Sequence, residues 1–412
     1  MHKTFLAFIC ISFIFLTGCW DAVDIEERAY IIGVAIDEYP SVPKGQEEET
    51  KEVETEQEKV LETDTEVDTG RPMYAMTIQM PIIKMGTHPN IQGGGGGGAE
   101  PDVPRTWELT QTGNSFIEIN RTIATRTNFK PYYEHLQVII ISDKVARKGL
   151  KNILDFFIRD PEMRSRTKVF ITDGDAKKVL DVIPRIEDYA SIYLAKTVSN
   201  ARINSQMIHW TDLGKAVQNI YTGVDFPLPH VKVSGDEVMN KGAAIFKGDK
   251  MVGWIDGSDI ETGKLIRNIY IGGITTARMP GTKNSIMALE VVKSKTKVTP
   301  VIQGNEVSFK IDIDIKGNYV ESVNSTFLRE IDQDFIQQAS KAFEDSIKNR
   351  CLGTVEKLQN KFGADIFHFS NVLKTQKPEY WKKVKDRWHD IFPYVKVDIK
   401  VNVDIKQVGN IR

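Results

Sequence analysis

EHLQVIIISDKVARKGLKNILDFFIRDPEMRSRTKVFIT, residues 134–172, holds the pattern that sets the fold class. Leu136–Ile141 (LQVIII) is an apolar run too short for a helix of that character and reads as a buried strand. From about Lys144 to Arg159, Ala146, Leu150, Ile153, Leu154 and Phe157 fall on one helical face. That helix must stop at Asp160-Pro161, because proline disfavours helical backbone in the residue before it. Lys168–Thr172 (KVFIT) is a second buried strand. A strand, a 15-residue helix and another strand make a βαβ unit, so the two strands should run parallel.

Upstream, Arg28 to Asp37 (RAYIIGVAID) and Met73 to Met80 (MYAMTIQM) read as strands, the second ended by Pro81. Between them, residues 44–69 hold eleven Asp/Glu against three Lys and almost no large apolar side chain. Such a stretch cannot bury enough surface to offset its ordering entropy, so a disordered acidic insert is expected. Six glycines at 93–98 lie inside a glycine-rich loop over 86–104. A phosphate loop needs glycines at fixed places between a strand and a helix; an unbroken run reads as a linker. Ser115-Phe-Ile-Glu118 resembles a capping box for a helix carrying Phe116, Ile119 and Ile123.

Downstream, helices are expected near 175–181, 188–203 and 211–221. Residues 223–240 carry Pro and Gly and read as a linker. Residues 242–247 and 251–255 flank Gly248-Asp249 as a hairpin. Strands follow at 285–294 and 307–315. A helix over 325–350 places Leu328, Ile331, Phe335, Ala339, Ala342 and Phe343 on one stripe. The period-two run 395–406 (VKVDIKVNVDIK) is a strand solvated on one face, able to pair with 307–315. The fold class is α+β: several domains, mixed β-sheets packed with helices, and one βαβ unit in the N-terminal part. The expected division is a leader at 1–18, an α/β domain at 19–222, a linker with a middle β-rich domain at 223–290, and an α+β domain at 291–412.

The first twenty residues set the compartment. Lys3 precedes a twelve-residue apolar run, Phe5 to Leu16. A bilayer span needs about 20 residues, so the run fits the core of an export signal instead. It ends in Leu16-Thr17-Gly18-Cys19, which looks like a bacterial lipobox. There Cys19 would receive an S-diacylglycerol, the chain would be cut before it, and its new amine would be acylated. Three acyl chains exceed what stable anchoring requires. Cleavage would leave 394 of the 412 residues.

Chemistry is sparse in the remainder. Lys+Arg is 54 and Asp+Glu is 56, a net charge of −2, so nothing marks a whole-chain nucleic-acid binder. Three cysteines exclude a disulfide scaffold and a four-cysteine zinc site. Neither HExxH nor GxSxG occurs. Gly257 to Lys264 (GSDIETGK) spaces its glycines wrongly for a phosphate loop and has Leu265 where Ser or Thr should hold magnesium. None of the seven histidines has metal-ligand spacing; His135 and His368 read as structural. Asp312 and Asp314 share a strand face and read as solvated, and Asp173-Gly174-Asp175 reads as a turn and helix cap. No catalytic residue, metal or cofactor is assigned. Trp381, Val384 and Trp388 lie on one helical face, with Lys382, Lys383, Lys385 and Arg387 around it, and should cover the terminal sheet.

LTGCWDAVDIEERAYIIGVAID at the start resembles the opening of the Ger(x)C family, lipoprotein C subunits of spore nutrient-germinant receptors. The matching features are Cys19, Trp20, Asp21 and the strand end Gly33–Asp37. EHLQVIIIS (134–142), ILDFFIRDPEMR (153–164), KGAAIFKGDKMVGWI (241–255), KFGADIFHF and the tail KPEYWKKVKDRWHDIFPYVKVDIKVNV extend the resemblance over nearly the whole chain. It departs at 44–69 and 93–98. The resemblance implies a non-catalytic α/β lipoprotein on the outer face of the spore inner membrane, held by membrane lipid through Cys19. Its implied partners are integral membrane receptor subunits of the A and B types, one transporter-like, and no nucleic acid. Which nutrient is sensed, and whether this subunit touches it, stays open. The rival expectation is a lipid-anchored solute-binding protein of a transporter, which should show two repeated α/β lobes around a cleft.

Overall fold

The computed structural model of the protein describes residues 28–39, 73–82, 106–208, 212–282, 285–323 and 332–408. The N-terminal elements are β1 (Arg28–Tyr30), β2 (Gly33–Tyr39), β3 (Met73–Pro81), β4 (Thr106–Gly113), α1 (Phe116–Arg126), β5 (Lys130–Tyr132), β6 (Val138–Ser142), α2 (Asp143–Lys148), α3 (Lys151–Arg159) and β7 (Lys168–Thr172). Helices α4 (Ala176–Leu180), α5 (Ala190–Thr197) and α6 (Leu213–Thr222) follow, then β8 (Phe226–Ser234), β9 (Glu237–Lys247) and β10 (Lys250–Ile255). Eight of these strands form one mixed sheet in the order β10-β9-β8-β7-β6-β2-β3-β4. β1 and β5 form a separate parallel pair.

The central βαβ unit has the expected hand-off. β6 and β7 pair in parallel, Ile139 opposite Val169 and Ile141 opposite Ile171. Ile139 and Ile141 point into one core with Leu154, Phe157 and Phe246. Val138 and Ile140 point into the other with Phe170, Val179 and Leu194. Both faces are covered by helices, so the strand is apolar at every position instead of alternating.

The single helix expected over 144–159 is two. Gly149 breaks it at φ +129, a conformation that favours glycine, and a Cβ there would sit 2.7 Å from Asp249 Oδ2. Leu150 N–H donates to the Asp249 carbonyl at 2.9 Å, so the β9–β10 turn wedges into the break. Ser115 precedes α1 but its side chain makes no capping bond.

The linker expected at 223–240 is a correction. Those residues supply β8 and the start of β9, in the same sheet as β2, β6 and β7, so 223–255 do not form a separate middle unit. Pro227 and Pro229 misled because proline cannot serve both sides of a sheet. Within β8, β7 pairs only with His230 and Val231, so the prolines face a single neighbour, β9.

The C-terminal elements are α7 (Gly257–Ile266), β11 (Gly273–Arg278), β12 (Ile286–Gln303), β13 (Glu306–Val323), α8 (Gln333–Lys357), α9 (Phe369–Gln376), α10 (Pro378–Val384), α11 (Trp388–Ile391) and β14 (Lys396–Val408). The sheet order is β11-β12-β13-β14. β14 joins β13 in parallel, Ile311 opposite Ile399 and Ile313 opposite Val401. Their other faces set Asp312 opposite both Lys297 and Lys400, an exposed ladder of alternating charge. α8 starts after Asp332, whose side chain accepts from Phe335 N–H at 2.7 Å. Leu328 and Ile331 lie outside the described residues. Phe335, Ala339, Phe343, Ile347 and Cys351 bury the stripe against the sheet. Two helix-backed sheets make the fold α+β, as expected.

Candidate functional site

Cys19, the proposed lipid acceptor, lies outside the described residues, and so do the acidic insert 44–69 and the glycines 93–98. Arg28, the first described residue, follows Cys19 by nine positions, a reach of at most about 30 Å. The two inserts leave the sheet at opposite ends. One joins Tyr39 to Met73, which face each other across β2 and β3; the other joins the far ends of β3 and β4.

The strand end Gly33–Asp37 has a structural reason. A Cβ on Gly33 would sit 2.0 Å from Ser191 Oγ, so α5 packs directly on the β2 backbone. Asp37 accepts from Ala176 N–H at 2.7 Å and Lys177 N–H at 3.0 Å, capping α4. Burial raises its carboxyl above the ordinary range.

A buried polar group joins the large sheet to the C-terminal elements. Asp225, immediately before β8, accepts from Gly248 N–H at 3.1 Å in the β9–β10 turn and from Asp365 N–H at 2.8 Å. His389 Nε2 on α11 lies 3.1 and 3.2 Å from its two oxygens. Asp365 in turn accepts from Phe369 N–H at 3.0 Å, Ser370 N–H at 2.8 Å and Trp388 Nε1–H at 3.0 Å. Burial pushes the Asp365 carboxyl up to about 6. The bond to Asp225 raises His389, and burial brings Arg267 down to about 10. His368 has φ +62 and no hydrogen-bond partner on its buried Nε2; burial takes it down to about 3.

Every oxygen of both carboxylates is engaged by groups of the fold. The adjacent void, lined by Ile255, Ile260, Arg267 and Ile366, is about 20 Å³, room for one water. The arrangement is a clamp between halves, with no space for a substrate. Sequence reading missed it because Asp225 and Asp365 stand 140 positions apart in unremarkable contexts. Its one visible signal is that KGAAIFKGDK, KFGADIFHF and the tail carrying Trp388 and His389 all meet there.

Gly257–Lys264, rejected as a phosphate loop, lies inside α7. Asp256 caps that helix in a box with Asp259, and Asp259 also takes Thr354 Oγ1 at 2.9 Å and Lys357 Nζ at 2.5 Å from α8. Glu261 faces Arg350 at 3.4 Å. These buried charges pin α7 to α8. Trp381 and Trp388 meet edge to face at 5.9 Å over the C-terminal core, the expected covering role, but they come from two short helices, α10 and α11, where one was expected. Asp312 and Asp314 are exposed. Among the described residues, no group of three His, Cys, Asp or Glu could hold a metal ion. Within the same residues, no helix is long and apolar enough to cross a membrane.

An open cleft of about 610 Å³ between α1 and α3 is lined by Tyr74, Phe116, Ile117, Phe156, Asn152 and Asp155, among others. Its volume suits a small organic molecule. It offers no nucleophile–base pair; Asp155 is held by Arg159 at 2.5 Å.

Two family models together cover almost the whole chain. One described as spore germination protein N-terminal domain matches residues 21–233, and one described as spore germination B3/GerAC-like, C-terminal, matches 241–409. The chain belongs to the Ger(x)C family of spore germination proteins. The boundary between the models falls between β8 and β9, so the large sheet is shared by both. Relatives of this family span the chain end to end. The spore germination protein YndF of Bacillus subtilis (strain 168) is 26% identical, covering 99% of this chain and 97% of its own. Spore germination protein B3 of the same organism is 24% identical over 96% and 94%. The crystal structure of the GerBC protein shares the fold at TM-score 0.56 and 21% identity, covering 81% of this chain and 94% of that one. A role in germination follows from the family.

Proposed function

We propose that this chain is the lipid-anchored, non-catalytic C subunit of a spore nutrient-germinant receptor. It acts by assembling with integral membrane subunits of the A and B types on the outer face of the spore inner membrane. The observation that carries this reading is the match of both Ger(x)C domains over almost the whole chain, behind a leader ending in Leu16-Thr17-Gly18-Cys19. The buried polar groups support it: their bonds are spent on joining the halves, as suits a rigid binding component. Anchoring at Cys19 raises the effective concentration of the folded domains beside membrane partners without any new contact.

Cys19→Ala tests the anchor. The variant should take up no labelled fatty acid and should leave the membrane fraction or persist as precursor. Label still entering it would mean that Cys19 is not the acceptor.

A further inference from the structure

β14 is an outer strand of the C-terminal sheet; β13 pairs on one side and no described strand on the other. Val403 N–H turns away from β13 toward Glu344 Oε1 at 3.2 Å. Strand alternation therefore turns the backbone groups of residues 397, 399, 401 and 405 outward as well. A strand edge of this length is a template for another strand.

The side chains along it specify which strand. On the solvated face the order is Asp398, Lys400, Asn402 and Asp404, followed by Lys406, which sits at a bulge of the β13–β14 ladder and pairs with Asp404 at 2.6 Å. Turned antiparallel about Asn402, the same order is its own complement. Asp398 then faces Lys406 of a second copy, Lys400 faces Asp404, and Asn402 faces Asn402. Moving the axis to Val401 sets Lys396 against Lys406 and Asp398 against Asp404; moving it to Val403 sets Lys400 against Lys406. On the inner face the Asn402-centred register joins Ile399 to Ile405 and Val401 to Val403. It also extends the ladder already present, from Lys297, Asp312 and Lys400 to Asp404 and Lys316 of the second copy. Cross-strand opposite charges favour a pairing and like charges oppose it.

We infer that β14 is a self-pairing edge: two copies of this chain join antiparallel about Asn402, making one continuous eight-stranded sheet with two-fold symmetry. The interface is isologous. Glu344 must yield, and the ion pair of Lys406 with Asp404 must open so that each meets its partner in the second copy. The bond of Glu344 to Val403 is long for a charge-assisted one, and the carbonyl of Val401 in the second copy replaces it. One strand edge is a small interface, so the association is weak in free solution.

Two experiments on the full chain, with Cys10 and Cys19 changed to Ser and Cys351 buried, test this. Asn402→Cys puts the new thiol opposite itself, and mild oxidation should give a covalent dimer. Lys396→Cys, placed far from the axis, should give about ten-fold less. Equal yields would overturn the register. In sedimentation of the unoxidised chain, Lys400→Asp should weaken self-association about ten-fold, since it sets carboxylates against Asp404. Adding Asp404→Lys should restore it, although both changes break the ladder to β13. Failure of the double variant to recover, or a wild-type chain monomeric at every concentration, would overturn the proposal.

Discussion

His368 shows at the smallest scale how the fold constrains a side chain that the sequence left looking ordinary. Its backbone is left-handed, its Nε2 is enclosed without a partner, and burial lowers its pKa to about 3 from an ordinary 6.5. The unfolded chain takes up a proton there as pH falls below about 6.5; the folded chain does not. This residue's contribution to stability is thus complete above pH 6.5 and is lost as pH falls toward 3. Asp365 works oppositely, because its raised carboxyl favours the folded state most at low pH and loses that advantage as pH rises through about 6. His368→Asn tolerates the left-handed backbone and removes one titration only. Its urea midpoint should fall less than the wild type's between pH 7 and 5; parallel curves would mean that His368 titrates freely. Trp388 is the second residue-scale case. It is buried, packs in the C-terminal core and donates to Asp365. Trp388→Ala should cost about 3–5 kcal/mol, read from the denaturation midpoint, and an unchanged midpoint would contradict the core role.

At the scale of elements, the period of a segment proved more legible than its breaks. The alternation of 307–315 and 395–406 pointed to a half-solvated pair, and β13 and β14 run side by side with their polar residues aligned. The four apolar residues of β6 pointed to a strand covered on both faces. What stayed hidden depends on contacts from elsewhere in the chain. The break at Gly149 is visible only once Asp249 is known to press on it. Pro227 and Pro229 read as a linker because their tolerance depends on how short the β7–β8 pairing is. The clamp of Asp225 and Asp365 has no local pattern at all. The acidic insert belongs to this scale too. Tyr39 and Met73, which bracket it, are already opposite partners across β2 and β3. Deleting 44–69 leaves residues 40–43 and 70–72 to close a hairpin, so thermal melting should be almost unchanged. A loss above about 2 kcal/mol would exceed what a solvated loop supplies and would mean that the segment packs.

For the whole molecule, the two family domains do not divide the structure into two independent bodies. β9 and β10 lie beyond the boundary in sequence but complete the large sheet, and the Asp225–Asp365 clamp ties that sheet to α11 and the C-terminal core. A force or a bound partner at one half therefore meets the other through buried bonds instead of a linker. This rigidity suits the proposed membrane-anchored subunit, and it agrees with the rival solute-binding architecture less well, since two repeated lobes are not what the sheets form. The most direct test of the account is affinity capture of the tagged chain from detergent-solubilised spore membranes, followed by mass spectrometry of its N-terminus and of what accompanies it. The expected result is a first residue of Cys19 carrying diacylglycerol and an acylated amine, together with two integral membrane subunits of the receptor type. An unmodified chain recovered alone from the soluble fraction would contradict it.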